Sequence, residues 1–216
     1  QEDITYFKEY SLKSNALVLQ ARANELLIHE QAAEGTDAEK KAPSIPVLVY
    51  HGITENYDGY NVLLADFKAQ MDGLKKAGYR TITLQEFYQF LKEDKALPAK
   101  SFLLTFDDGR KDSYYYADPL FRELGYTAVM FAITSYSLGE TRSSYYLSER
   151  ELKKMAESGR WEIQAHTHAG HELYEIDEDG HVGHFYSNKL WRKDDQRIET
   201  DEEFRERITN DLTIAK

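Results

Sequence analysis

Two adjacent carboxylates, Asp107 and Asp108, directly follow the apolar run 101–106 and precede Gly109. The run predicts a buried strand, so both side chains would lie at its carboxyl end. Neighbouring like charges are unfavourable there unless a cation or a proton shares the site. The pair therefore predicts a metal ligand beside a catalytic base or, as the simpler structural interpretation, an Asp-Gly turn.

A histidine cluster, HTHAGH at positions 166–171, follows another predicted strand at positions 161–165. Asp108, His166 and His171 would together offer one oxygen and two nitrogens, as in catalytic metal centres that keep open positions. His168 is the rival ligand, because alternate residues of an extended segment point to the same side. The alternative interpretation is a group of structural or solvated histidines.

Two further residues could complete a hydrolytic centre. Asp107, next to a ligand, is the natural general base, because a nearby cation lowers the pKa of water enough for a weak base to act. His51 follows the predicted strand 46–50, and an imidazole there could protonate a leaving group. From the residue pattern alone, a structural histidine at a strand end is the stronger interpretation of His51.

The composition indicates a globular chain of 216 residues and excludes several kinds of protein. A net charge of −11 argues against a nucleic-acid partner, which needs a basic face. The absence of cysteine excludes thiolate zinc cages and disulfide frameworks. No stretch approaches the roughly 18 apolar residues that a membrane span needs. The first residue is Gln1 rather than Met, which predicts a processed or excised form.

The elements predicted around the candidate residues alternate between strand and helix. Residues 1–42 predict an N-terminal helical appendage with a polar linker, and residues 43–216 predict a single catalytic domain. Capping boxes at 83–86, 148–151 and 200–203 mark the starts of three helices. The domain therefore consists of repeated strand–helix units.

Repeated units of this kind imply an α/β fold with a mostly parallel sheet, either open or closed into a barrel. Both architectures place active sites at the carboxyl ends of the strands. The candidate residues His51, Asp107, Asp108 and His166 each follow a predicted strand. We therefore expect them on one face of the domain.

Two local features complete the prediction. Asp118-Pro119 has a Pro at the favoured first helical position and predicts the start of a helix. Residues 172–199 are polar, contain Gly180 and Gly183, and predict a surface loop beside the site.

The motif TFDDG at positions 105–109 resembles the first signature of the NodB-homology polysaccharide deacetylases, carbohydrate esterase family 4. The pattern His166-Thr167-x-x-x-His171 is similar to the second signature in the branch of that family that deacetylates poly-β-1,6-N-acetylglucosamine. That branch also has a strand ending in Tyr-His, like Val49-Tyr50-His51.

The resemblance implies a distorted (β/α) barrel of about seven mostly parallel strands, circularly permuted in this branch. It also implies that Asp107 is the general base and that His51 is the general acid. Asp108, His166 and His171 are implied to bind a divalent metal. Zinc is the preferred ion for such a mixed ligand set, and iron, cobalt and nickel also fit.

The function expected from the resemblance is removal of acetyl groups from N-acetylglucosamine residues of an extracellular or cell-surface polysaccharide. A peptidoglycan deacetylase, an O-acetyl xylan esterase and an inactive glycan-binding module are the alternatives. The last stays open because the family continues with a Pro-Tyr/Phe-Gly type signature that has no counterpart after the helix at 201–216. The catalytic domain is therefore expected to be truncated at its C-terminus. Glycan linkage and oligomeric state are left open.

Overall fold

The computed structural model describes residues 41–139 and 143–216. The helical appendage predicted for residues 1–42 falls almost wholly outside these ranges and stays a prediction.

Strands and helices alternate along the described residues. The strands are β1 (Val47–Tyr50), β2 (Ile53–Thr54), β3 (Val62–Leu63), β4 (Arg80–Thr81), β5 (Ser101–Phe106), β6 (Ala128–Ala132), β7 (Trp161–Ala165), β8 (Leu173–Glu175), β9 (Val182–His184), β10 (Trp191–Arg192) and β11 (Arg197–Ile198). The helices are α1 (Leu64–Lys76), α2 (Leu84–Lys92), α3 (Lys111–Leu124), α4 (Thr134–Ser137), α5 (Glu149–Glu157) and α6 (Asp201–Ala215). Among the helices that these residues form, none has the length and hydropathy to cross a bilayer.

A parallel sheet of five strands lies at the centre of the domain. Strands β1, β5, β6 and β7 are neighbours in that order, and β4 pairs with the first two residues of β5. The predicted α/β class and mostly parallel sheet are therefore confirmed. The predicted count of about seven barrel strands is not confirmed, because the central sheet of the described residues has five strands. The other strands form separate short pairs.

The register aligns the carboxyl ends of the strands that precede the candidate residues. Tyr50 pairs with Phe106 at the ends of β1 and β5. Pairing continues past the strands, since Asp107 N donates to Tyr50 O at 3.0 Å and His166 N donates to Ala132 O at 2.8 Å. The loops that follow β1, β5 and β7 therefore leave the sheet at the same edge, where α/β folds place their sites.

Strand β5 is buried along its whole length and forms the centre of the core. The ring of Phe106 is fully buried, and its centroid lies between 5.3 and 6.0 Å from those of Tyr50, Phe67, Phe121 and Trp161. Aromatic pairs at such distances contribute about 0.5–1.5 kcal/mol each beyond the burial of their area. This packing fixes the position where β5 ends and thus the position of the carboxylate pair.

All three predicted capping boxes are present. The hydroxyls of Thr83, Ser148 and Thr200 each accept a hydrogen bond from the backbone N–H three residues on, and the Glu at that position accepts one in return. These boxes define the starts of α2, α5 and α6, because they satisfy N–H groups that have no partner within the helix.

The helix start predicted at Asp118-Pro119 is wrong. Helix α3 begins at Lys111 and contains Pro119 in its interior. Tyr114 and Ala117, three residues apart, are both buried, so an amphipathic stripe precedes the proline. Packing of that stripe offsets the hydrogen bond that proline cannot donate.

The surface loop predicted for residues 172–199 contains two antiparallel pairs, β8–β9 and β10–β11. A partly buried ion pair joins this segment to α6: Arg207 Nε donates to Glu199 Oε1 at 2.8 Å. The same guanidinium donates to the carbonyls of Phe185 and Asn188. These contacts with the helix that follows it order a segment whose polar composition predicts only a loop.

Truncation of one core ring tests this placement of the core. We expect Phe121→Ala to lower the free energy of unfolding by about 3–5 kcal/mol, because the fully buried ring would leave a cavity. Urea unfolding followed by circular dichroism measures the change. Tyr88→Ala is the matched control, since Tyr88 is 53% exposed on α2 and its loss should change stability by less than about 0.5 kcal/mol. Equal losses in the two variants would contradict the described core.

Candidate active site

The structure brings Asp108, His166 and His171 together. Nε2 of His171 lies 3.1 Å from Oδ1 of Asp108, and Nε2 of His166 lies 3.8 Å from the same oxygen. One ligand atom from each residue lies within 4.8 Å of those of the other two. Donor atoms this close could share one cation.

The Asp108 oxygen that faces both imidazoles is buried and has no hydrogen-bond partner among the described residues. A buried carboxylate oxygen without a partner is strongly unfavourable. A cation between this oxygen and the two imidazole nitrogens would offset that penalty. One oxygen and two nitrogens suit zinc and other first-row divalent ions, so the residues present fit a divalent metal.

Left-handed backbone at two turns directs the ligand side chains. Asp108 has φ 74° and Thr167 has φ 67°. This conformation costs a non-glycine residue about 1–2 kcal/mol. Gly109 follows with φ 75°, and a Cβ there would press on Ala132. Strain of this kind concentrates at functional sites, and here it lies on the two turns that carry the candidate ligands.

His168, the rival ligand, lies outside the group of three. The positive φ of Thr167 breaks the alternation that would otherwise point His168 to the same side as His166. Nδ1 of His168 instead lies 3.0 Å from Oγ1 of Thr134. The geometry therefore favours the first and third histidines of the cluster as ligands.

Asp107 and His51 lie beside the group of three. Nε2 of His51 is 3.8 Å from Oδ2 of Asp107, and the exposed side-chain fractions are 54% for His51 and 20% for Asp107. Burial raises the pKa of Asp107 and the Asp108 carboxylate adds to the rise, although the nearby imidazoles oppose it. A partly buried carboxylate facing a half-exposed imidazole is an arrangement that general acid–base catalysis can use. The roles of both residues stay predictions.

The turn after β1 depends on a close approach to Arg110. A Cβ on Gly52 would collide with the Arg110 guanidinium, which is fixed by donation from Nε to Asp112 Oδ1 at 3.0 Å. The hydroxyl of Ser113 donates to the carbonyl of His51. A side chain at position 52 would therefore have to displace Arg110 from beside the turn that presents His51.

Tyrosine rings border the site. Tyr136 and Tyr146 have ring centroids 4.5 Å apart, and the Tyr136 hydroxyl donates to Glu172, the residue after His171. Tyr145 is 46% exposed and lies over the Arg110 guanidinium, 4.7 Å from its ring centre. Aromatic faces of this kind can pack against sugar rings.

Sequence reasoning missed Asp211, which lies in α6 and is buried. Its carboxylate accepts hydrogen bonds from the backbone of His168 and Ala169, within the histidine cluster. Asp211 follows Phe204 by seven residues and Ile208 by three, so it falls on the apolar stripe of the helix, which is the signal that could have predicted its burial. Its partners, more than 40 residues away, had no such signal.

Metal content measured by elemental analysis tests the group of three. We expect Asp108→Ala and His171→Ala each to lose most of the metal that the wild type holds, because each removes one of three protein ligands. His184→Ala is the control, since His184 is an exposed histidine on β9 outside the group. Undiminished metal in both ligand variants would contradict the site.

Removal of the Asp107 charge tests the electrostatics of the metal-free site. Burial raises the pKa of this carboxyl above its unfolded value, so its ionised form destabilises the fold, and the penalty fades as the pH falls to the unfolded pKa of about 3.9. With a chelator present, we expect Asp107→Asn to raise the Tm at neutral pH and to lose that gain in acid. A lower Tm for the variant at neutral pH would contradict the described burial.

Comparison with known sequences finds relatives named as deacetylases. One relative is YxkH of Bacillus subtilis (strain 168), which is named as a polysaccharide deacetylase. It is 35% identical over 128 residues, and the match covers 59% of this chain and 44% of YxkH. The poly-β-1,6-N-acetyl-D-glucosamine N-deacetylase of Staphylococcus aureus (strain MRSA252) is 30% identical over 128 residues, covering 58% of this chain and 43% of that protein. The chain thus spans less than half the length of these curated relatives.

Comparison with solved structures supports the fold. The de-N-acetylase from Aggregatibacter actinomycetemcomitans matches with a TM-score of 0.68 at 20% identity, covering 79% of this chain and 72% of that one. A family model described as polysaccharide deacetylase matches residues 94–213. The resemblance inferred from the two signatures is confirmed, and because that match spans more than half of the sequence, this chain belongs to the polysaccharide deacetylase family.

Proposed function

We propose that this chain is a metal-dependent N-deacetylase that removes acetyl groups from N-acetylglucosamine residues of an extracellular or cell-surface polysaccharide. The observation that carries the proposal is the buried Asp108 oxygen, which has no hydrogen-bond partner among the described residues and faces two imidazole nitrogens. Membership of the family supports the reaction class. The proposed substrate rests on the Staphylococcus aureus relative, named as a deacetylase of poly-β-1,6-N-acetyl-D-glucosamine.

Asp108, His166 and His171 would hold the divalent metal. When bound, the metal supplies Lewis acidity, which polarises the acetyl carbonyl and lowers the pKa of a water molecule. Zinc is the ion that we propose, because it favours a mixed set of nitrogen and oxygen ligands; iron, cobalt and nickel suit the same set.

Asp107 would act as the general base. Its carboxylate would take the proton from the water that attacks the acetyl carbon, and it lies partly buried beside the His51 imidazole. The charges of Asp108, His166 and His171 act on this carboxyl, so it lies beside the group of three in space.

His51 would act as the general acid. The C–N bond breaks only if the departing glucosamine nitrogen gains a proton, and an imidazolium can donate one near neutral pH. The side chain is half exposed, so it can exchange protons with solvent between turnovers. The products are acetate and a free amine on the sugar.

The surroundings of the site suit a polymeric sugar. Exposed Tyr145 offers a ring face for a sugar to pack against, and Arg110 beneath it holds that ring in place. The His51 side of the site is open to solvent, as a long chain that binds across the domain requires.

Acetate release from β-1,6-linked N-acetylglucosamine oligomers tests the proposed function. We expect Asp107→Asn to lower kcat by about 10²–10⁴-fold, because the variant lacks a base but keeps the shape of the side chain. Asp66→Asn is the matched control, since Asp66 is exposed in the first turn of α1, outside the group of three, and its loss should leave kcat unchanged.

Parallel assays on chitin oligomers, peptidoglycan and acetyl-xylan separate the alternatives. Acetate released from acetyl-xylan alone would indicate an esterase, and acetate from peptidoglycan alone would indicate a cell-wall deacetylase. If no substrate yields acetate with any of the four metals added, the proposal is wrong and a glycan-binding module is favoured.

A further inference from the structure

We propose that Asp211 is a positioning residue for the metal centre. Its buried carboxylate would hold the turn between His166 and His171 in the conformation that brings both imidazoles to the metal. The inference rests on the proposed function, because it takes those two histidines as ligands. Asp211 lies in α6 and is only 5% exposed.

Both carboxylate oxygens of Asp211 accept hydrogen bonds from the backbone of this turn. Oδ2 accepts from the N–H of His168 at 3.0 Å, and Oδ1 accepts from the N–H of Ala169 at 2.7 Å. The hydroxyl of Tyr186 also donates to Oδ2. Two successive N–H groups bound to one carboxylate fix both the position and the direction of the backbone that they belong to.

The turn needs external support because its own backbone is strained. Thr167 has φ 67°, which an isolated threonine rarely adopts. Gly170 packs so closely on the ring of Tyr186 that a Cβ would collide with it. A strained turn keeps one conformation only where contacts with its surroundings hold it there. On the α6 side, these contacts come from Asp211 and Tyr186.

The opposite side of the turn is held by α4. The carbonyls of Thr167 and His168 accept hydrogen bonds from the N–H groups of Thr134 and Ser135, at 3.1 and 3.2 Å. The N–H groups of the turn thus point to the Asp211 carboxylate while its carbonyls point to α4. Loss of the carboxylate would leave buried donors unpaired and release one side of the turn.

Asp211 binds the turn as an ionised carboxylate that accepts three hydrogen bonds. Burial by itself would raise the pKa of this carboxyl, but hydrogen bonds from Tyr186, His168 and Ala169 outweigh it and the pKa is lower than usual. The ionised group is acceptor-only and matches three donors. The NH₂ group of an asparagine at this position would face at least one of these three donors and could not accept a hydrogen bond from it.

Asp118 offers a matched control at the other end of β7. Its carboxylate also accepts three hydrogen bonds, from Nε and Nη2 of Arg160 at 2.9 and 3.0 Å and from Nε1 of Trp161 at 2.9 Å. Trp161 is the first residue of β7, whereas the candidate ligands follow the last. Asp118→Asn should therefore lower stability and leave the metal centre intact.

Titration of the metal-free 216-residue chain with Co²⁺ tests the inference. Calorimetry gives the Kd, visible absorption of the bound ion reports its coordination, and thermal unfolding without metal gives the Tm. We expect Asp211→Asn to raise the Kd about 10–100-fold and to change the Co²⁺ spectrum. We expect Asp118→Asn to lower the Tm with Kd and spectrum unchanged. Wild-type Kd and spectrum in Asp211→Asn would overturn the inference.

If Asp211→Asn does not fold, Tyr186→Phe provides the test instead. This variant removes the hydroxyl that donates to Asp211 and keeps the ring that packs on Gly170. A Kd raised about threefold would support the inference, and an unchanged Kd would overturn it. A wild-type chain that binds no Co²⁺ would overturn the metal centre itself. If the wild type binds Co²⁺ and the Asp211 and Tyr186 variants bind it with the same Kd, only the role given to Asp211 is overturned.

Discussion

The site depends on one electrostatic constraint, a buried Asp108 oxygen for which the described residues provide no hydrogen bond. Two imidazole nitrogens face this oxygen, and a second carboxylate, Asp107, adjoins it. Such an arrangement is unfavourable in a folded protein unless positive charge enters it. The same penalty makes the group receptive to a divalent cation, so instability of the metal-free site and affinity for metal have one physical origin.

The fold supplies the rigidity that this constraint requires. Strand β5 is buried on all its residues, and the aromatic packing around Phe106 fixes the strand end from which the carboxylates project. Parallel pairing with β1 and β6–β7 brings the other candidate residues to the same edge. The strained backbone at Asp108 and Thr167 persists because core packing on one side, and α4 and α6 on the other, leave it no alternative.

Local sequence signals predicted most of the elements that position the site. Strands 101–106 and 161–165 have the predicted bounds, and each of the three capping boxes begins a helix. These features were predictable because an apolar run and a capping box each occupy only a few consecutive residues. Contacts between distant segments were not predictable in this way. The packing of α3 overrode the Pro119 signal, and the φ of Thr167 separated His168 from the group of three. The hydrogen-bond partners of Asp211 lie more than 40 residues away and have no local signal. The catalytic and metal-binding roles themselves stay predictions.

X-ray absorption spectroscopy of the chain loaded with one equivalent of Zn²⁺ tests the central claim most directly. The account predicts a coordination shell with two imidazole nitrogens and a carboxylate oxygen at about 2.0–2.2 Å. It also predicts that His171→Ala reduces the imidazole signal to that of one ring. A shell of oxygens alone, or an imidazole signal that His171→Ala leaves unchanged, would contradict the account.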